Sequence, residues 1–203
     1  NYIICPNHDN FYGDNVINSV GALHHFKKPE KISNPKLLTC IIGGNNQHYY
    51  FDANVAKKLC EKILQIKKNN TEIELNVITS RRTSDLVKKI LINNLNDIAT
   101  IWTGTGRNPY EEAIENSSFF IITSDSTSMI SEAAISGKPI YVYHLPHKRK
   151  SIRISNFHKE FNKLGITRKI NNIHSLEKWT YNSLNESERI GNIIKKRIIE
   201  ENI

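Results

Sequence analysis

Ile121-Ile-Thr-Ser-Asp-Ser-Thr-Ser-Met-Ile-Ser-Glu-Ala-Ala-Ile-Ser-Gly-Lys-Pro-Ile-Tyr-Val-Tyr143 is the stretch on which the reading of this chain turns. Its apolar run through Thr123 predicts a buried strand, Ser124 to Ser128 supplies hydroxyl and carboxylate caps, and Ser128 to Ser136 predicts a short helix closed by Gly137. Free N–H groups at such a helix start, among serine hydroxyls, suit an anion, and Glu132 lies one turn further in, within reach of a sugar hydroxyl. The same residues serve equally as ordinary helix caps, and the dipole favours a glutamate near a helix start without any ligand. Gly137-Lys138-Pro139 then turns the chain straight into a second apolar strand, Ile140-Tyr-Val-Tyr143. A strand, polar turn, helix and strand in that order put the turn at the carboxyl edge of a parallel sheet, where open α/β sheets bind their ligands.

Working outward, the same alternation recurs. Leu37 to Ile42 predicts a strand ending in Gly43-Gly44, and Asp52 to Lys68 an amphipathic helix capped by Asp52 with Val55, Leu59, Ile63 and Ile66 on one face. Glu72 to Thr79 reads as a strand, followed by Ser80-Arg-Arg-Thr-Ser84 and a helix carrying Leu86, Val87, Ile90 and Leu91. Ile98 to Thr103 and Ser118 to Thr123 read as strands, with the Gly104 to Pro109 loop and a short helix from Tyr110 between them. Phe157 to Leu164 is expected as a short helix ended by Gly165, and Asn185 to Glu201 as a terminal helix with Ile190, Ile193, Ile194 and Ile198 inward. Strands alternating with helices imply an α/β, Rossmann-like parallel sheet with helices on both faces and right-handed crossovers. Asn1 to His8 reads as a strand and a turn. Phe11 to Ile32, with no clear period, makes residues 1–34 a linker or the edge of a missing N-terminal domain.

Four loops follow four of these strands: Gly43-Gly44-Asn45-Asn46, Ser80-Arg81-Arg82-Thr83, Gly104-Thr-Gly-Arg-Asn-Pro-Tyr110 and Ser124-Asp125-Ser126-Thr127-Ser128. In a parallel sheet all four emerge on one edge and meet around one ligand. Glycines allow close backbone approach, paired arginines grip phosphate oxygens, and Asn and Ser add neutral donors. Against this, Gly43-Gly44 serves equally as a tight turn, Arg81 and Arg82 as solvated charges, and Pro109 as a strand stop.

At 203 residues and 38% hydrophobic, the chain can bury a core of its own. No apolar run approaches the ~20 residues of a membrane span, and the start lacks the layout of a signal peptide, so a cytoplasmic protein is expected. Met129 is the single methionine, so an upstream part is expected before residue 1. Cys5, Cys40 and Cys60 are an odd set without CxxC spacing, which argues against a disulfide framework and a zinc site. Neither a metal nor a cofactor is expected. A net charge of +8 fits nucleic acid, an acidic membrane surface or a phosphorylated small ligand. Many lysines, such as Lys57, Lys58, Lys88 and Lys89, fall on outer helix faces, and no aromatic-interleaved basic strand is present, so nucleic acid is not an expected partner.

Pro6-Asn-His-Asp9, Gly13-Asp-Asn-Val16, Gly21-Ala-Leu-His24, Ile42-Gly-Gly-Asn45, Ser80-Arg-Arg-Thr83, Asn108-Pro-Tyr110, Ser124 to Met129, Glu132-Ala133 and Gly137-Lys-Pro139 run through most of the chain. In these stretches it resembles the bacterial and plant family named for plant mitochondrial fission ("elongated mitochondria"), also described as nucleoside-diphosphate-sugar epimerases. That family is similar in turn to GT-B glycosyltransferases, especially the C-terminal half of the peptidoglycan N-acetylglucosaminyl transferase. The resemblance implies that residues 35–203 form a nucleotide-sugar-binding domain. Glu132 would take ribose hydroxyls, while Ser126, Ser128, Gly43 and Gly44 would face the diphosphate and Met129 would lie at the same site. It also implies a base for the acceptor, for which His8 and Asp9 are the candidates. The chain has neither the Gly-x-Gly-x-x-Gly nor the Tyr-x-x-x-Lys of short-chain sugar epimerases, so only a non-hydrolysing, GT-B-type epimerase fits that description. Two readings follow: a glycosyltransferase-related enzyme acting near the inner membrane face, with peripheral membrane association, or a non-catalytic interaction scaffold. Fold likeness alone does not choose between them.

Overall fold

In the computed structural model, residues 1–30, 34–171 and 173–201 are described; the last two residues of the Phe11 to Ile32 segment lie outside them. The N-terminal part forms β1 (Ile3–Pro6), a 3-10 turn at Asn7–Asp9 and β2 (Val16–Ser19), with β1 and β2 in a parallel pair. The body is a six-stranded sheet made of β3 (Leu37–Ile42), β4 (Glu74–Thr79), β5 (Thr100–Trp102), β6 (Phe119–Thr123), β7 (Ile140–Tyr143) and β8 (Thr167–Lys169). Every pairing in it is parallel, in the order β5-β4-β3-β6-β7-β8. The chain moves outward from β3 to β5, returns to β6 and moves outward the other way. The switch point of this doubly wound sheet therefore lies between the carboxyl ends of β3 and β6.

Six helices connect and cover the strands: α1 (Ala53–Asn69), α2 (Asp85–Leu95), α3 (Tyr110–Asn116), α4 (Thr127–Ala133), α5 (Ile152–Lys163) and α6 (Glu186–Glu201). All six residues of β3 are buried because both faces of this central strand are covered. Successive side chains serve opposite faces: Leu38, Cys40 and Ile42 join Leu59, Ile63 and Leu91 of α1 and α2, while Ile41 joins Ile130, Phe157 and Phe161 of α4 and α5. The predicted Asp52 cap forms, with its carboxylate accepting from Val55 N at 2.9 Å. Val55, Leu59, Ile63 and Ile66 are all buried as their spacing requires.

Some elements differ from the sequence expectation. α5 begins at Ile152, five residues before Phe157, because Ser151 Oγ caps Ile154 N, and Ile152 is 79% exposed, which hides the start from any apolar pattern. β2 and β8 are short strands that periodicity did not signal. In α6, Ile190 is buried but Ile198 is 48% exposed, and in the last turns Arg197 lies over the Tyr2 ring. The segment after β2 lies against the helices. Gly21 (φ +72°) brings the backbone so close that a Cβ there would stand 2.4 Å from Ser131 Oγ and 2.8 Å from Phe161. Ala22 N donates to Ser131 Oγ, Val20 N to Glu186, and Asn7 Nδ2 to Glu160. Among the described residues no helix is long and apolar enough to cross a membrane, and no group of three or more His, Cys, Asp or Glu stands where it could hold a metal ion.

Candidate functional site

The carboxyl ends of β3, β4 and β6 are tied together by one buried carboxylate. Asp125 accepts from Gly44 N at 3.0 Å, from Thr123 Oγ1 at 2.6 Å and from the Arg82 guanidinium at 2.7 Å. Thr123 Oγ1 in turn accepts from Gly43 N at 2.8 Å. Thr83 closes the other side, its one hydroxyl proton directed at the Gly43 carbonyl (2.6 Å) with the Ile42 carbonyl at 3.0 Å, and it accepts from Ser80 N at 2.9 Å. The glycines are needed for this packing: a Cβ on Gly43 would lie 2.1 Å from Asp125 Oδ2, and one on Gly44 1.9 Å from the Arg82 carbonyl. Their amides, expected from the resemblance to face a diphosphate, thus have intramolecular partners. Asn45 is likewise engaged, its side chain bonding both N and O of Phe51. The fully buried Ser124 accepts from Leu145 N at 3.0 Å.

Beside this knot a cleft of about 380 Å³ opens between the ends of β4 and β5 and the flank of α4. Ser80, Arg81, Trp102, Asn108, Tyr110 and Met129 line it, so two of the four predicted loops contribute, joined by Met129 of α4. Asn108 Oδ1 accepts from Tyr110 N and sets the entry to α3, with Pro109 at the cap position. The Tyr110 hydroxyl donates to the Glu132 carboxylate. Burial, then the Glu132 charge, pushes the Tyr110 phenol far above its usual range. Glu132 is not itself part of the lining and joins it through Tyr110. Trp102, which sequence reading did not single out, carries a buried indole N–H with no partner. An aromatic at the carboxyl end of a strand was the available signal.

A second hollow, about 220 Å³, lies over Asp125 and Thr127, with His8, His48, Ser151 and Arg153 among its walls. The 3-10 turn thus brings His8 to the same sheet edge as the Ser-Asp-Ser loop. His8 is 6% exposed, lies edge-on to Phe157 and has no partner at Nδ1; Nε2 stands 3.8 Å from Asp9. Burial lowers its pKa first, partly offset by Asp9, so the ring is neutral near pH 7. Asp9 is held by Arg153 Nε at 2.5 Å. His48, Ser151 and Arg153 belong to this hollow only through tertiary packing. Ser126 and Ser128 line neither space: Ser126 Oγ caps Met129 N at 3.4 Å, and Ser128 is exposed. Gly43 and Ser126, expected around one shared cleft with Ser80 and Asn108, lie beside it, linked to it through the Asp125 knot and α4.

Residues 1–198 match the family described as mitochondrial fission ELM1. Uncharacterized protein RP120 of Rickettsia prowazekii is 36% identical over 160 residues, covering 76% of this chain and 45% of its own length. Mitochondrial fission protein ELM1 of Arabidopsis thaliana is 27% identical over 200 residues, covering 91% of this chain and 46% of its own. The chain spans about half the length of these curated relatives. Among solved structures, the S. aureus MnaA-UDP co-structure aligns over 94% of this chain and 55% of its own at 15% identity with a TM-score of 0.49. MurG of Acinetobacter baumannii aligns over 95% and 52% at 14% identity with a TM-score of 0.47. With a match that runs along nearly its whole length, this chain belongs to the mitochondrial fission ELM1 family.

Proposed function

We propose that this chain is the nucleotide-sugar-binding half of a GT-B-like, glycosyltransferase-related cytoplasmic enzyme that takes a nucleoside-diphosphate sugar at the carboxyl edge of its sheet. The observation that carries the reading is the cleft beside the switch point, which Ser80, Arg81, Asn108 and Tyr110 line together with Trp102. In this reading the base lies against the aromatic wall, which offers a flat apolar face. Ribose hydroxyls replace the Tyr110 hydroxyl on Glu132, so the carboxylate stays satisfied before and after binding. Arg81, on the wall of the cleft, meets the diphosphate. His8, neutral and close to Asp125, accepts the proton of an acceptor hydroxyl, with Asp9 and Arg153 holding its surroundings. A membrane-borne acceptor would place the protein peripherally at the inner membrane face.

A specific observation favours a second reading, a scaffold that keeps the fold and recruits a partner. The Gly43 and Gly44 amides, Asp125 and Glu132 all have partners within the chain, so the edge is already satisfied without a ligand. Calorimetry against nucleotides and nucleotide sugars separates the two. Glu132→Gln keeps the shape but weakens charge-assisted bonds, so nucleoside diphosphates should bind about ten-fold more weakly with folding kept. Arg81→Ala should weaken diphosphates while hardly touching nucleosides, with an effect that shrinks in salt. Unchanged affinity in both variants supports the scaffold.

A further inference from the structure

A third hollow, about 300 Å³, lies on the far side of the Asp125 knot, between the ends of β7 and β8 and the flank of α5. His144, His147, His158, Lys159 and Lys169 supply most of its charge-bearing wall, and no carboxylate lines it. Arg168, also in the wall, is taken: it pairs with Glu177 and lies 4.1 Å over the Trp179 ring. Lys159 and Lys169 have no carboxylate partner among the described residues.

The histidines are fixed by their contacts. His158 Nε2 faces the Ser124 carbonyl at 3.0 Å, which sets the tautomer with the proton on Nε2 and turns Nδ1 away as an acceptor. His144 packs edge-on against it, with ring centroids 5.1 Å apart. Burial pushes both down to about 4. Of the charged groups that act on them, Lys169 and His147 bear on His144, while His144, His147 and His8 bear on His158, and each lowers the pKa. No acidic group offsets them. A concave, half-enclosed space that gathers uncompensated positive charge is short of an anion.

We propose that this hollow is a phosphoryl-binding site, separate from the switch-point cleft, in which Lys159 and Lys169 neutralise a phosphate monoester or inorganic phosphate and His144 hydrogen-bonds its oxygens. Two unpaired lysines match the −1.5 to −2 charge of a phosphate monoester at pH 7, and a neutral histidine can share the proton of its monoanion. The volume is at the lower limit for ligand pockets, which suits a phosphate with a small attached group and not a whole nucleotide sugar.

Histidine ring resonances followed by NMR against pH test the site. Inorganic phosphate should raise the apparent pKa of His144 by about one unit, while chloride at matched ionic strength should not. Lys159→Gln with Lys169→Gln should abolish the rise and weaken binding at least ten-fold with the melting temperature kept; Glu132→Gln, behind Tyr110 of the other cleft, should leave it intact. Vesicles of phosphatidylcholine with and without phosphatidic acid separate the sources. Lysine-dependent binding to phosphatidic acid without a response to free phosphate assigns the phosphoryl group to a lipid headgroup, and the reverse to a soluble ligand. No response to either below ~10 mM phosphate, an equal response to chloride, or a response that survives the double substitution overturns the proposal.

Discussion

Asp125 shows how one side chain holds three strand ends in register. Asp125→Ala would leave the Gly44 N–H and the Thr123 hydroxyl buried without their acceptor, whereas Arg82, 45% exposed at its side chain, can turn to water. The expected cost is on the order of 2–4 kcal/mol, dominated by the two orphaned donors, and urea denaturation measures it. A cost below about 0.5 kcal/mol, the size of an ordinary surface change, would mean the knot is dispensable. Gly44→Ala should be at least as damaging, because its new methyl meets the Arg82 backbone and no rotamer relieves that. Both positions were visible in the sequence as site candidates, from their place after strands and from the resemblance. Their intramolecular partners were not, since Asp125 and Gly44 meet only across a gap of 81 residues.

At the scale of elements, local rules hold wherever the signal is local. Asp52 caps α1 by a bond that spans three residues, so its legibility is unsurprising, and Asp52→Ala should cost about 1 kcal/mol in a thermal melt. Gly191, inside α6, meets nothing within 4 Å of a built Cβ and keeps an ordinary helical φ. Gly191→Ala should therefore stabilise by roughly 0.5–1 kcal/mol, a sign opposite to that at Gly44, and a lowered melting temperature would contradict it. α5 shows where the local signal fails: its first turn carries an exposed Ile152 and Arg153, so apolar spacing begins only at Phe157. β8 is three residues long, with two of them exposed, and owes its existence to pairing with β7.

The whole molecule carries a pH dependence that no single element sets. His144 and His158 are pushed down to about 4 in the folded chain, and unfolded histidines titrate near 6.5. Between those values the unfolded state binds protons that the folded state refuses. Stability should be fully present above pH 6.5 and fall by roughly 1 kcal/mol per pH unit for each histidine as pH drops towards 4. Denaturation midpoints that stay flat from pH 7 to 4.5 would sink this account. Phosphate in the third hollow should lessen the slope. The sequence by itself determined the alternation of apolar strands and amphipathic helices, the parallel sheet with polar loops on its carboxyl edge, the cap at Asp52 and the capping stretch Ser124 to Ser128, because period and capping act over a few neighbouring residues. Only the tertiary structure decided which loops share a space. The β5-β4-β3-β6-β7-β8 order sets Ser80 beside Asn108 and His144 beside Lys169, while docking of the N-terminal 3-10 turn on α5 sets His8 beside Asp125. Those encounters depend on long-range strand pairing and burial, which no spacing along the chain encodes.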